Sequence, residues 1–97
     1  MTAYVISNVR MRPGPALDAY RALASASIER HGGRYLARGG EVDVLEGQWR
    51  EAAIVVEFPT LAAARDWYAS PDYAEALKCR DGAVERDLVI VEGCSDR

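Results

Sequence analysis

His31 is the only histidine among 97 residues, and an imidazole titrates near neutral pH, which makes it the candidate proton carrier. Glu57 interrupts the apolar run Ile54-Val55-Val56-Glu57-Phe58. A carboxylate in such a run requires water or a partner, and a partnered one can orient a ligand or act as a base. Arg38 offers a planar fork of donors for a carboxylate or phosphate, and Gly39-Gly40 behind it let a backbone or ligand come close. If these residues meet, the chemistry is cofactor-free acid/base catalysis. His31 transfers the proton, Glu57 orients the ligand or takes base duty, and Arg38 holds the substrate or its developing negative charge. Antiparallel pairing of the strands that carry Arg38 and Glu57 would make them partners, subject to register. Trp49, near Gly47 in the polar stretch 39–50, is a pocket lip or a dimer contact. Tyr73 and, one heptad later, Arg80 can reach the same mouth.

Each of these residues also has a structural role open to it. A histidine in the last turn of a helix satisfies exposed carbonyls and the macrodipole. Arg34 and Arg38, read on one strand face with Leu36 between them, can be solvated or ion-paired edge residues. Tyr73 can belong to the core with Trp67 and Tyr68, and Arg80 can point at solvent. Cys79 and Cys94 form no CxxC and have no second histidine near them, so no metal and no cofactor are expected and the thiols are read as free.

The elements that must position these residues follow from periodicity. Residues 4–11 are rich in β-favouring side chains and stop at Pro13-Gly14-Pro15, which cannot continue a ladder. Leu17, Tyr20, Ala24, Ile28 and His31 keep helical spacing after Pro15, and Gly32-Gly33 closes that helix. Alternation resumes over 34–38 and over 52–58. Pro59-Thr60 opens a second helix, Ser70-Pro71 caps and restarts a third piece, and residues 87–92 read as the last strand. The order β-α-β-β-α-β predicts an α+β, ferredoxin-like domain: a four-stranded antiparallel sheet with helices on one face. Strands three and four carry apolar residues on both faces, so the helix-free face is expected to pair with a second copy.

Composition bounds the function. With 49% hydrophobic and 28% charged residues, the chain reads as a single domain over 1–97. A net charge of −3 without a basic cluster gives no attraction to nucleic acid or to an anionic membrane. No apolar stretch approaches the ~20 residues of a membrane span, and Met1-Thr2-Ala3-Tyr4 runs into a strand without a basic leader, so a cytoplasmic location is expected.

Several ordered motifs carry a further resemblance: His31-Gly32-Gly33-Arg34-Tyr35-Leu36, Arg38-Gly39-Gly40, Leu45-Glu46-Gly47-Gln48-Trp49, Glu57-Phe58-Pro59, Trp67-Tyr68-Ala69-Ser70-Pro71-Asp72-Tyr73, Arg80 and Glu92-Gly93. Over almost the whole chain this set resembles the bacterial domain-of-unknown-function family numbered 1330. The resemblance implies a dimeric α+β barrel and no established reaction. The broader barrel plan includes cofactor-free monooxygenases, muconolactone-type isomerases, stress-responsive barrels and haem-handling proteins, and fold analogy does not choose among them. The chain departs from the family pattern twice. Ala52-Ala53 stand where the family tends to place an arginine, and Arg12-Pro13-Gly14-Pro15 where it tends to place an aspartate. The expectation is a homodimer with a cleft beside each sheet for a small organic molecule, a carboxylate-bearing one suiting Arg38. A non-catalytic binding or structural dimer module is the first alternative. The second is a haem-handling barrel with His31 as axial ligand in a large apolar pocket.

Overall fold

The computed structural model describes residues 1–94. Its elements are β1 (Ala3–Met11), α1 (Pro15–Arg30), β2 (Arg34–Arg38), β3 (Ala52–Phe58), α2 (Leu61–Tyr68), α3 (Pro71–Leu77) and β4 (Val84–Glu92). The four strands form one antiparallel sheet in the order β2-β3-β1-β4. This is the order that two interleaved β-α-β units produce, so the fold is α+β and ferredoxin-like, as the periodicity predicts. The sheet is open, with β2 and β4 at its edges. Among the described residues no helix is long and apolar enough to cross a membrane.

Local chemistry explains the boundaries. The Thr60 hydroxyl accepts from the Ala63 N–H at 3.0 Å and starts α2. Ser70 accepts from the Tyr73 N–H at 3.1 Å and, with Pro71 in the first turn, starts α3. α1 ends where the N–H groups of Gly32 and Gly33 reach back to the carbonyls of Glu29 and Ile28. Gly32 has φ +81°, the left-handed conformation that glycine adopts without strain. Gly33 is required for space instead: a Cβ there would lie 2.7 Å from the Phe58 ring and 2.8 Å from the Ile28 methyl. β4 begins at Val84, three residues before the strand read from sequence, because Val84, Glu85 and Arg86 pair with Met11, Arg10 and Val9 of the long β1. Their charges hide a strand that tertiary pairing supplies.

Strand alternation sorts the two faces. Ala3, Val5, Ser7 and Val9 of β1 are buried beneath the helices together with Val56 and Phe58 of β3. Trp67 of α2 packs on Phe58 at 5.5 Å and on Tyr73 of α3 at 4.3 Å between ring centroids. α2 rests on the sheet, whereas α1 leans on α3 and stands away from the strands. The opposite face of the sheet carries no helix, and Val89 and Val91 there are 56% and 45% exposed. With extents of 44 × 36 × 17 Å the chain is a thin slab, two layers deep with one layer uncovered.

Candidate functional site

The gap between α1 and the sheet is a cavity of about 440 Å³. Val5, Ile54, Val56 and Leu88 form its sheet wall, and Ala24 and Ile28 lie on the helix side. It exists because small residues stand where the patterns would accept large ones. Ala24 sits one helical turn from both Tyr20 and Ile28 on the inward stripe of α1, and Ser7 occupies the centre of β1. The charged side chains on its wall are Arg21, Arg38 and Arg86; among the described residues no carboxylate lines it.

Arg86, half-buried on β4, lines the β4 end of the cavity. Its two Nη atoms donate separately to the hydroxyls of Tyr20 and Tyr73, whose oxygens are 2.7 Å apart. Burial pushes the Tyr73 hydroxyl above the ordinary phenol range, an effect that outweighs the opposing pull of Arg86. Tyr73 therefore meets Arg86 as a neutral acceptor rather than as a counter-ion. The Trp67 indole N–H donates to the Ser27 hydroxyl at 3.0 Å, which donates in turn to the Ala24 carbonyl at 2.8 Å, so Trp67 is fixed in the wall. Arg38 stands at the opposite, open end. Its guanidinium lies 4.0 Å from the Tyr35 ring centroid and donates to the Ser25 hydroxyl at 3.3 Å. β2 and β4 are three strand spacings apart, roughly 14 Å between backbones at the usual inter-strand distance. Arg21 donates weakly to Met11 Sδ at 3.7 Å.

The structure scatters the residues singled out by sequence. Arg38 lines the cavity, and Tyr73, fully buried, supports it through Arg86 and Tyr20. His31 and Glu57 do not share a cavity. The His31 ring donates from Nδ1 to the Ser27 carbonyl at 2.8 Å, closing the last turn of α1. Glu57 points to the helix-free face and pairs with Arg34 at 2.8 Å, which corrects the expected partnership with Arg38. The cause is a β-bulge: Tyr35 opposes Val56, but Ala37 opposes Val55, so Leu36 is the extra residue. The strand therefore shifts phase, and Arg34 and Arg38 leave it on opposite faces. Trp49 lies outside the cavity wall, donating its indole N–H to the Ala52 carbonyl at 2.8 Å. Arg80 lines a separate surface groove along β4, which it shares with Tyr68 and Arg86. Arg50, the basic residue nearest the start of β3, pairs with Asp87 at 2.6 Å. Among the described residues no three potential metal-ligating side chains cluster, and both cysteines are free.

Arg86 and Tyr20 are the site residues that the sequence reading passed over. The signal for Arg86 is the alternation Val84, Arg86, Leu88, Ile90. Once β4 starts at Val84, a cation falls in phase with the apolar residues that face the helices.

The family described as domain of unknown function DUF1330 matches residues 2–94. Among solved structures, a protein of unknown function from Rhodopseudomonas palustris superposes with a TM-score of 0.72 at 25% identity, over 98% of this chain and 84% of that one. A protein from Mycobacterium tuberculosis gives 0.56 at 19% identity, over 99% and 98% of the two chains. A dimeric protein of unknown function and ferredoxin-like fold from Bacteroides fragilis gives 0.52 at 18% identity, over 95% and 96%. No curated protein matches the chain.

Proposed function

The chain belongs to the DUF1330 family, and we propose that the cavity between α1 and the sheet binds a small organic anion with a largely apolar body. One observation carries this reading: the only charged side chains on a largely apolar cavity wall are those of Arg21, Arg38 and Arg86, and none of the three has a carboxylate partner among the described residues. Arg86 is half-buried whereas Arg21 and Arg38 are exposed; a guanidinium partly withdrawn from water without a counter-charge is costly, and an anion entering beside Arg86 reduces that cost. At protein-like packing density the volume of about 440 Å³ accommodates up to about fifteen non-hydrogen atoms. Binding rather than turnover is the reading, because His31 and Glu57 lie outside the cavity wall. A haem-handling role with His31 as axial ligand is not favoured, because His31 lies outside that wall and its Nδ1 is engaged by the Ser27 carbonyl.

Isothermal titration with benzoate, phenylacetate and hexanoate, each against its primary amide, tests the proposal. Carboxylates should bind and the amides should bind at least tenfold more weakly, the difference expected of charge-assisted hydrogen bonds at roughly 1.5–3 kcal/mol. Equal binding of acid and amide would refute it.

We further infer that two copies pair through the helix-free face of the sheet. Val89 and Val91 leave apolar surface exposed there, and the Bacteroides fragilis structure is described as dimeric. Pairing would cover this face and place the two sheets back to back, as in a dimeric α+β barrel. Sedimentation equilibrium should return twice the chain mass at micromolar concentration; a stable single chain would overturn the inference.

A further inference from the structure

We propose that the cavity selects a carboxylate head group seated at its β4 end, where the Tyr20 hydroxyl donates its proton to one carboxylate oxygen and Arg86 donates to the other. This rests on the anion-binding reading of the same cavity and adds the place and chemistry of the head.

A count of hydrogens leads there. Tyr73 is fully buried, and its hydroxyl has two neighbours among the described residues, the Tyr20 hydroxyl and Arg86. A guanidinium has donors only, so it cannot accept the Tyr73 hydrogen. That hydrogen therefore goes to the Tyr20 oxygen, 2.7 Å away. The Tyr20 oxygen then receives two hydrogens, from Tyr73 and from Arg86, and both of its lone pairs are engaged. Its own hydrogen has no acceptor left among the described residues. Tyr20 lines the cavity, and an acceptor arriving there completes the network.

Arg86 points the same way. A guanidinium carries five N–H donors, and two of them serve the phenols. The remaining three have no partner among the described residues, and Arg86 lines the cavity together with Tyr20, so unspent guanidinium donors accompany the unspent phenol proton. Such a pair matches the two oxygens of a carboxylate. Arg38 is the weaker seat for the head, because it is exposed and already engaged by the Tyr35 ring and the Ser25 hydroxyl. Ser7 lies on the cavity face of β1 opposite Leu88, diagonal to Arg86, and places another hydroxyl near the same end.

The test compares benzoate affinity by isothermal titration calorimetry in the wild type, Tyr20→Phe, Tyr73→Phe and Arg38→Ala. Tyr20→Phe keeps the ring and removes the donated proton, so affinity should fall about tenfold, the scale of a hydrogen bond to a charged group. Tyr73→Phe disturbs the same buried pair but leaves Tyr20 its proton, and should bind within about threefold of wild type; this separates donation from packing damage. Arg38→Ala should likewise retain most of the affinity. Wild-type affinity in Tyr20→Phe, an equal loss in Tyr73→Phe, or a loss confined to Arg38→Ala would each overturn the head-group assignment while leaving anion binding intact. Failure of the wild type to bind benzoate, phenylacetate and hexanoate would instead remove the cavity reading itself.

Discussion

Replacing Arg86 by methionine should separate function from stability. The substitution keeps an unbranched side chain of similar reach and removes the charge. Two hydrogen bonds to phenol oxygens are lost, yet Tyr20 and Tyr73 keep their mutual bond at 2.7 Å, so neither hydroxyl is left without a partner. Set against that loss is the relief of a half-buried guanidinium that has no carboxylate partner among the described residues, and the desolvation penalty for such an ion is several kcal/mol before compensation. The two effects nearly cancel, and Arg86→Met should unfold within about 1 kcal/mol of the wild type, on the stable side if on either. Carboxylate affinity should fall roughly 10- to 150-fold, the equivalent of 1.5–3 kcal/mol for a charge-assisted bond. Urea denaturation and calorimetric titration of the same preparation measure both quantities. If Arg86→Met instead lost 3–5 kcal/mol of stability, the signature of a broken buried pair, while carboxylate affinity held, Arg86 would be a structural clamp and the assignment of the head group to the β4 end would fail with it.

Other expectations follow from individual contacts. Gly33→Ala drives a methyl into the Phe58 ring and the Ile28 side chain and should cost about 1–3 kcal/mol of unfolding free energy, as overpacking does; a neutral result would show that α1 can move away from β3. Because burial raises the Tyr73 hydroxyl above its ordinary 10.0, its contribution to stability is full below that pH and is lost as pH climbs toward the folded-state value. Urea midpoints measured from about pH 8 to pH 11 should therefore decline more steeply in the wild type than in Tyr73→Phe; parallel curves would contradict this. Val89→Lys puts a charge on the exposed sheet face and should shift the sedimenting species from dimer toward monomer with helix and strand content retained; an unchanged dimer would place the interface elsewhere.

The parts of the fold legible in the sequence are those that depend on short-range periodicity and capping. Ser70-Pro71 announces α3, the glycine pair closes α1, and the alternation of β3 shows in the burial of Val56 and Phe58 on either side of Glu57. The site was half legible. Arg38 and Tyr73 stand out by residue type, but register decides what they face, and register is set by cross-strand pairing that no local pattern encodes. In an unbulged β2–β3 ladder Leu36 would oppose Val55 and Arg38 would oppose Ala53, on the Glu57 side of the sheet. The extra residue at Leu36 instead sets Arg38 opposite Ile54, a cavity residue. His31 stood out because it is alone in the chain, and rarity is no guide to what a side chain touches.

The same shifts in phase explain how an acidic chain presents a cavity walled by cations. On β4 the open face takes Glu85 and Asp87 while the intervening Arg86 turns inward; on β2 and β3 the open face takes Arg34 and Glu57 while Arg38 turns inward. The outward carboxylates are neutralised there by Arg10, Arg12, Arg34 and Arg50. Those pairs are exposed and contribute little to stability, but they leave the three cavity arginines without competing carboxylates on the wall. A net charge of −3 therefore gives no attraction for anions at long range, where salt screens it within about 10 Å. Attraction arises only inside the cavity, where the surroundings are apolar and charge is poorly screened. Affinity for a carboxylate should accordingly depend on ionic strength far less than that of a surface site with the same number of arginines.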